Sequence, residues 1–183
     1  VAHASRGLPW RLAAGAAMKL LTFQAKRFRW KSFSKTIPAA EDLEVDQTVE
    51  QAVVVFLHAE ERDALERASV FRHTLKHVKW LANKRGLRNV VLHSFTHLGA
   101  ASAPPQFAQA FLVELAERLR ATGYAVWLTP FGWFCEWDLS VYGDSLAKVW
   151  KEVGPRTAGG EGGVGEDSVR EDSDGEGSPG SAH

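Results

Sequence analysis

"QAVVVFLHAE", residues 51–60, decides the fold class. Val53 to Leu57 form an unbroken apolar run, three of the five residues being valine. Branching at Cβ favours extended backbone, and an apolar run without alternation marks a strand covered on both faces, the habit of parallel α/β sheets. Two later segments, "RNVVLHSF" (88–95) and "YAVWLTP" (124–130), read the same way. A helix is predicted between the first two strands, from Glu60 to Arg85. Leu65, Ala68, Phe71, Leu75, Val78 and Ala82 recur at steps of three and four, and Gly86 is the stop. A second helix is predicted over "APPQFAQAFLVELAERLRATG" (103–123), with Ala108, Leu112, Leu115 and Leu119 as its stripe, prolines at its start and Gly123 at its end.

Outward from this unit, "KLLTFQAKRFRWKSFSK" (19–35) alternates well enough for one strand or a bent pair, and residues 37–50 read as a polar loop behind Pro38. After a turn at Pro130 to Gly132, "GWFCEWDLSV" (132–141) alternates as a strand at the sheet's margin. "GDSLAKVWKEV" (143–153) is predicted as a short last helix capped by Asp144 or Ser145. The order strand, helix, strand, helix, strand, strand gives an α/β fold: a mixed, partly parallel sheet with helices packed on it.

Composition bounds the rest. Apolar residues make up 45% and charged residues 24%, ordinary for one globular domain. The formal net charge is zero, but residues 154–183 hold seven acids against two arginines and no aromatic residue. That stretch is expected to be a disordered acidic tail, leaving plus five on the remainder. Residues 1–17 read as a disordered extension, a weak targeting segment or the product of a misassigned start, so the domain is expected at 18–153. No apolar run approaches the roughly 20 residues that span a bilayer, so no membrane partner is expected. One cysteine excludes an intramolecular disulfide and fits a cytoplasmic setting.

In open α/β sheets, ligands gather beyond the carboxyl ends of parallel strands. Three loops belong there: His58 with Glu60, "HSFTHLGAAS" (93–102) with His93, Ser94 and His97, and "TPFGWFC" (129–135). Gly99, Ala100 and Ser102 are candidates to offer N–H groups to an anion or carbonyl. Cys135, the only thiol, reads as nucleophile, metal ligand or buried filler; no cation adjoins it to lower its pKa. His58, His93, His97 and Cys135 would make a zinc site if their loops converged, although no local metal spacing is present. His73 and His77 lie four apart on the first predicted helix, where a solvated face is the plainer reading. Trp80, Trp127, Trp137 and Trp150 read as core or interface aromatics. Lys26, Arg27, Arg29, Lys31 and Lys35, interleaved with Phe28, Trp30 and Phe33, suit RNA phosphates and a stacked base, or equally a charged edge strand that resists aggregation.

"NVVLHSFTHLGAASAPP" (89–105) and "GYAVWLTPFGWFCEWDLSVYGDSLAK" (123–148) resemble the editing domain of archaeal threonyl-tRNA synthetase. The sharpest parts are the F-x-H-L around His97 and the x-P-F-G-aromatic-aromatic at Pro130 to Phe134, and the resemblance extends over roughly residues 18–153. It implies a single domain related to D-aminoacyl-tRNA deacylases, usually a homodimer, that hydrolyses serine wrongly attached to threonine tRNA and needs neither cofactor nor metal. No synthetase body follows, which suggests a freestanding protein acting in trans on aminoacyl-tRNA, with a threonyl-tRNA synthetase lacking its own editing domain as a partner. Residues expected at the substrate are His58, His93, Ser94, Pro130, Phe131, Gly132, Trp133, Phe134 and Cys135, with Lys26, Arg27, Arg29 and Lys31 on the nucleic acid.

The resemblance carries His97 over as the polar group that orients water or the ribose. At Cys135 the family typically has a lysine after two tyrosines, and at Lys148 an acid. Lys148 is therefore a candidate catalytic lysine moved from the turn. Two other readings stay open: a non-catalytic module that binds aminoacyl-tRNA or a synthetase, and a metal-dependent hydrolase built on the three histidines and Cys135. The physical demand on an editing site is clear. One methyl is worth only about 1–3 kcal/mol in a pocket, so a second, smaller pocket must admit serine and clash with threonine. Gly132 and the "GAAS" run (99–102) would allow the close backbone approach this needs. Neither flanking segment has core-forming periodicity, so a chain cut to residues 18–154 is expected to melt cooperatively; loss of that transition would move the boundaries.

Overall fold

The computed structural model describes residues 18–154; the expectations for residues 1–17 and 155–183 lie outside them. Strands β1 (Met18–Lys35) and β2 (Asp46–His58) are followed by a turn of 3-10 helix and helix α1 (Arg67–Arg85). Then come β3 (Asn89–Ser94), α2 (Pro105–Arg120), β4 (Ala125–Leu128), β5 (Trp133–Val141) and β6 (Lys148–Val153). The six strands make one mixed sheet of order β4-β3-β2-β1-β5, with β6 also paired to β1. β2, β3 and β4 are parallel; every pairing of β1 is antiparallel. This is the mixed, partly parallel α/β sheet with packed helices that the strand pattern requires.

The two faces of β2 bury different things. Val53, Val55 and Leu57 join Val90 and Leu92 under α1 and α2, packed on Val78, Phe111 and Leu115. Val54 and Phe56 point to the other face, which no helix covers among the described residues. There β1 provides the cover. Lys26 and Gln51 interrupt the pairing of β1 with β2, and Gln51 takes a left-handed φ of 49°. A bulge against β5 falls at the same place. One irregular residue reverses which side chains face inward: Leu21, Phe23 and Ala25 before it, Phe28 and Trp30 after it. The outer half of β1 and its partner β5 thereby come to lie over Phe56, which meets Trp137 at 4.8 Å between ring centroids.

Several expectations are corrected. Residues 19–35 are one bent strand, and Phe28 and Trp30 are fully buried, so neither can stack a base; Phe33 alone of that trio is strongly exposed. The loop expected over 37–50 gives way to strand at Asp46, because residues 46–50 pair with Lys31 to Arg27 and Val49 packs into the core between its polar neighbours. The first helix starts later than Glu60: Leu65 is 82% exposed, and the buried stripe is Val70, Phe71, Thr74, His77, Val78, Leu81 and Ala82. Gly86 does stop it, at φ 67°. The expected last helix is a 3-10 turn followed by β6, because Val149 and Val153 pack into the helix-side core while the backbone completes the edge of β1.

His77 is not on a solvated face. It is 6% exposed, its Nε2 has no hydrogen-bond partner, and its ring stacks on Trp80. Burial, aided by the nearby positive Lys151, lowers its pKa to about 4. The unfolded chain therefore binds a proton here between about pH 6.5 and 4 that the folded chain refuses, and stability falls as pH drops through that window. His77→Phe is expected to gain stability relative to the parent as pH falls from 7 to 5. Urea melts giving the same difference at both values would refute this.

Candidate functional site

The carboxyl ends of β2, β3 and β4 open into a cleft of about 610 Å³. β3 delivers His93 and Ser94 to it, and the loop after β3 adds Phe95, Thr96 and His97. The turn after β4, Pro130 to Gly132, and the start of β5, Trp133 to Cys135, form the opposite wall, and Trp137 of β5 closes the side. Ser102, Ala103 and Pro105, at the entry to α2, complete the rim. The structure thus brings together all but two of the expected substrate and catalytic positions.

The exceptions are His58 and Lys148. His58 is fully buried and does not line the cleft. Its Nε2 donates to the Ala101 carbonyl at 2.6 Å, and its Nδ1 accepts from the Leu98 N–H at 3.2 Å. Both nitrogens are committed to holding the loop that carries His97. Lys148 is exposed at the start of β6, paired with Phe23, and is not among the lining residues.

His93 lies at the cleft floor, 5% exposed, with Nδ1 2.7 Å from the Thr129 hydroxyl and its ring edge-on to Phe56 and Trp137. Burial lowers its pKa to about 4, so it is a neutral imidazole near pH 7. His97 is exposed at the rim, its ring edge-on to Phe95 at 5.1 Å. Cys135 is half-buried, and burial raises its thiol pKa, which keeps it protonated near neutral pH. Phe134, by contrast, is 55% exposed.

The wall opposite His97 is made rigid by backbone. Gly132 takes φ 77°, a left-handed conformation that side chains disfavour. Its carbonyl accepts N–H groups from Thr36 at 2.8 Å and Ile37 at 3.2 Å, and a Cβ there would press on Ile37 and Ala40 at 3.1 Å. Trp133 Nε1 donates to the Glu41 carbonyl at 3.1 Å. The turn is therefore clamped onto the end of β1.

Lys19 and Asp63, which shape the site from below, went unnoticed in the sequence, and Glu60 and Gly99, expected at the cleft itself, join them there. Beneath the His97 loop, Glu60 is 2% exposed and ion-paired to Lys19. Asp63 accepts N–H groups from Glu60 and Met18, and burial raises its pKa to about 6. Gly99 rests on this group: a Cβ there would lie 2.9 Å from Lys19 Nζ and closer still to Glu60 Oε1. The available signal was a glycine in a loop with an acid two residues beyond a strand, but only topology shows that they touch.

His58, His93, His97 and Cys135 do not surround one point. Among the described residues no three histidine, cysteine, aspartate or glutamate side chains are placed to hold a metal ion. The zinc reading fails here because His58 spends both nitrogens on backbone. The RNA reading of the outer β1 loses its charges in part: Arg29 is bound by Asp46 at 2.7 Å and Asp138 at 3.2 Å, and Lys35 is paired with Asp42. Among the described residues, no helix is long and apolar enough to cross a membrane.

Comparison with known proteins agrees with this geometry. Residues 18–153 match the family described as the archaea-specific editing domain of threonyl-tRNA synthetase. The threonine–tRNA ligase of Hyperthermus butylicus is 32% identical over 146 residues, which is 76% of this chain and 23% of that ligase. Those of Thermofilum pendens and Staphylothermus marinus are each 30% identical, over 75% and 79% of this chain. The chain thus spans about a quarter of the length of these relatives. A solved structure titled c-Myc DNA unwinding element binding protein superposes with TM-score 0.55 at 13% identity, over 75% of this chain and 99% of that one, a likeness of fold alone.

The packing beneath the loop makes a prediction. Gly99→Ala forces a methyl onto an ion pair that is itself buried, and is expected to cost about 1–3 kcal/mol of stability, typical of overpacking. Gly143, where an added Cβ would meet nothing within 4 Å, is the control. Urea melts in which Gly99→Ala behaves like Gly143→Ala would show that the loop gives way freely.

Proposed function

The chain belongs to the family of archaea-specific editing domains of threonyl-tRNA synthetase, and on that premise we propose that it hydrolyses the ester of serine mistakenly joined to threonine tRNA. The observation that supports this most is the pairing of a backbone-clamped wall, Gly132 held by Thr36 and Ile37, with the His93 and His97 loop across one cleft. An unyielding wall is what a site needs to reject one methyl. The aminoacyl group enters between the two walls with its ester carbonyl toward the loop. A water attacks that carbonyl; His97 at the rim orients it or the terminal ribose, whose free hydroxyl takes part in the proton transfer. His93, neutral and bonded to Thr129, supplies a fixed polar floor. Cys135 is a wall residue, because its thiol stays protonated.

In its finer form the reading is a freestanding cytoplasmic protein that acts in trans, serving a synthetase without an editing domain of its own. Every residue that lines the cleft lies within residues 18–153, which supports a unit able to act on its own. Homodimerisation belongs to the same reading. Trp150 is 50% exposed and shares a sheet face with the partly buried Leu21 opposite it, a surface suited to a second copy. One observation favours a non-catalytic binder instead: Phe134 and Cys135 stand at the turn without a charge, and Lys148 lies outside the cleft.

Seryl-tRNA deacylation separates the two. The parent is expected to hydrolyse the ester, with Cys135→Ala retaining most of the rate. His97→Ala is expected to lose about 10²-fold, the scale of a positioned proton-transfer group. Cys135→Lys should match or exceed the parent. Activity abolished in a folded Cys135→Ala protein, or an acyl-thioester trapped on Cys135, would overturn the water mechanism; a parent and Cys135→Lys both inert would establish the binder.

A further inference from the structure

Helix α1 carries six cations in 19 residues, Arg67, Arg72, Lys76, Lys79, Lys84 and Arg85, and no acid. Two are neutralised by tertiary partners: Arg67 pairs with Glu114 and Arg85 with Asp144. Arg72, Lys76 and Lys79 make no ion pair among the described residues, and Lys84 lies over the Trp80 ring at 5.8 Å. At 100° per residue these positions fall on one side of the helix, and Arg72 to Lys84 extends about 18 Å along the axis. Lys151 of β6 lies close enough to His77 to act on it electrostatically, so it adds positive charge beside the row.

The contrast with the outer half of β1 is sharp. There the strand register sets Arg27 opposite Glu50 and Lys31 opposite Asp46 and Glu136, and Arg29 is held between two aspartates. Those cations have acids set directly across from them, whereas Arg72, Lys76 and Lys79 in the middle of α1 have no acid on their own helix and no ion-pair partner among the described residues.

We propose that the α1 face is the docking surface for the sugar–phosphate backbone of a structured RNA, on the reading above the body of the tRNA whose aminoacyl end enters the cleft. A linear row of unanswered cations matches a line of phosphates, and each contact gains by releasing condensed counterions. The apolar side chain exposed in this row is Trp80, 39% accessible, too little for the apolar centre of a protein interface. The position fits as well. α1 begins eight residues after Ala59, which lines the cleft, and runs away from it for about 28 Å, so an RNA lying along it has one end at the site.

The test uses the full chain and unacylated tRNA, with binding followed by fluorescence anisotropy across a salt series. Arg72 and Lys76 are exposed, Lys79 is half-buried and none of the three has an ion-pair partner among the described residues, so Arg72→Ala/Lys76→Ala/Lys79→Ala is expected to keep the parent's melting temperature to within a few degrees. Its log–log salt slope should be shallower than the parent's by about 2 to 3, near one released ion per lost contact. Arg29→Ala/Lys31→Ala should leave the slope within about one unit of the parent. A triple variant with the parent's slope, or a loss found in the β1 pair instead, overturns the proposal and leaves α1 as a solvated face or a protein contact. A second measurement separates this from the hydrolase reading. The triple variant should lose rate on seryl-tRNA through KM, with kcat kept, while hydrolysing a seryl-adenosine ester as the parent does. If neither ester is hydrolysed by the parent but the slope still falls, the hydrolase reading fails and the docking surface stands; intact hydrolysis with an unmoved slope removes the docking surface alone.

Discussion

Val53 to Leu57 expose no more than 3% of any side chain, so β2 must be covered on both faces along its whole centre. The helix side is the simple half. Two crossovers return α1 and α2 to one face, as right-handed connections between parallel strands do. Among the described residues no third helix covers the other face. A strand of 18 residues, about 60 Å at 3.3 Å per residue, is far longer than its neighbours. β1 bends at Lys26 opposite the left-handed Gln51 and brings Phe28, Trp30 and β5 over Val54 and Phe56. The cleft is what remains at the strand ends, where helix cover and strand cover stop short of each other.

The same burial sets the chemistry of the site. His93 is the last of four consecutive buried residues in β3, so its imidazole is held neutral, and its ring nitrogen is bonded to Thr129. Cys135 faces the second core and keeps its proton for the same reason. His58 and the Lys19–Glu60 pair lie below the rim; His58 spends both ring nitrogens on the loop above, and Lys19 and Glu60 neutralise each other beneath Gly99. A cleft so arranged discriminates by shape. Its selectivity rests on how little Gly132 and the residues clamped to it can move, since the difference to be read is one methyl.

Reading the sequence captured what depends on local pattern. The three parallel strands, the two helices, the Gly86 stop and the placing of His93, Ser94, His97 and the Pro130 turn at one sheet end all follow from runs, periods and punctuation. Failures came where distant pairing overrode local preference. Residues 148–153 alternate no better as strand than as helix; the open edge of β1 made them β6. Leu65 matched a helical stripe but belongs to the irregular turn before α1. His58 looked like a site residue because it sits at the right strand end. Which way its ring is used depends on Ala101 and Leu98, 43 and 40 residues away.

Charge shows the same division between local and distant information. In the outer β1, cations alternate with aromatic residues and look ready for RNA, yet antiparallel pairing sets acids from β2 and β5 directly across from them. Cross-strand neighbours of opposite sign attract, and no sequence window of ordinary length contains both. A helix differs because its nearest side-chain neighbours lie three and four residues along the same segment. α1 has no acid at any such spacing after its start, so its charge could be answered only by tertiary contacts, and these reach just its two ends, Arg67 and Arg85. The uncompensated middle of α1 is thus legible in the sequence in a way that the compensated β1 is not. The fold then orients that middle outward, with Val78, Leu81 and Ala82 turned to the core and Arg72 and Lys76 to solvent.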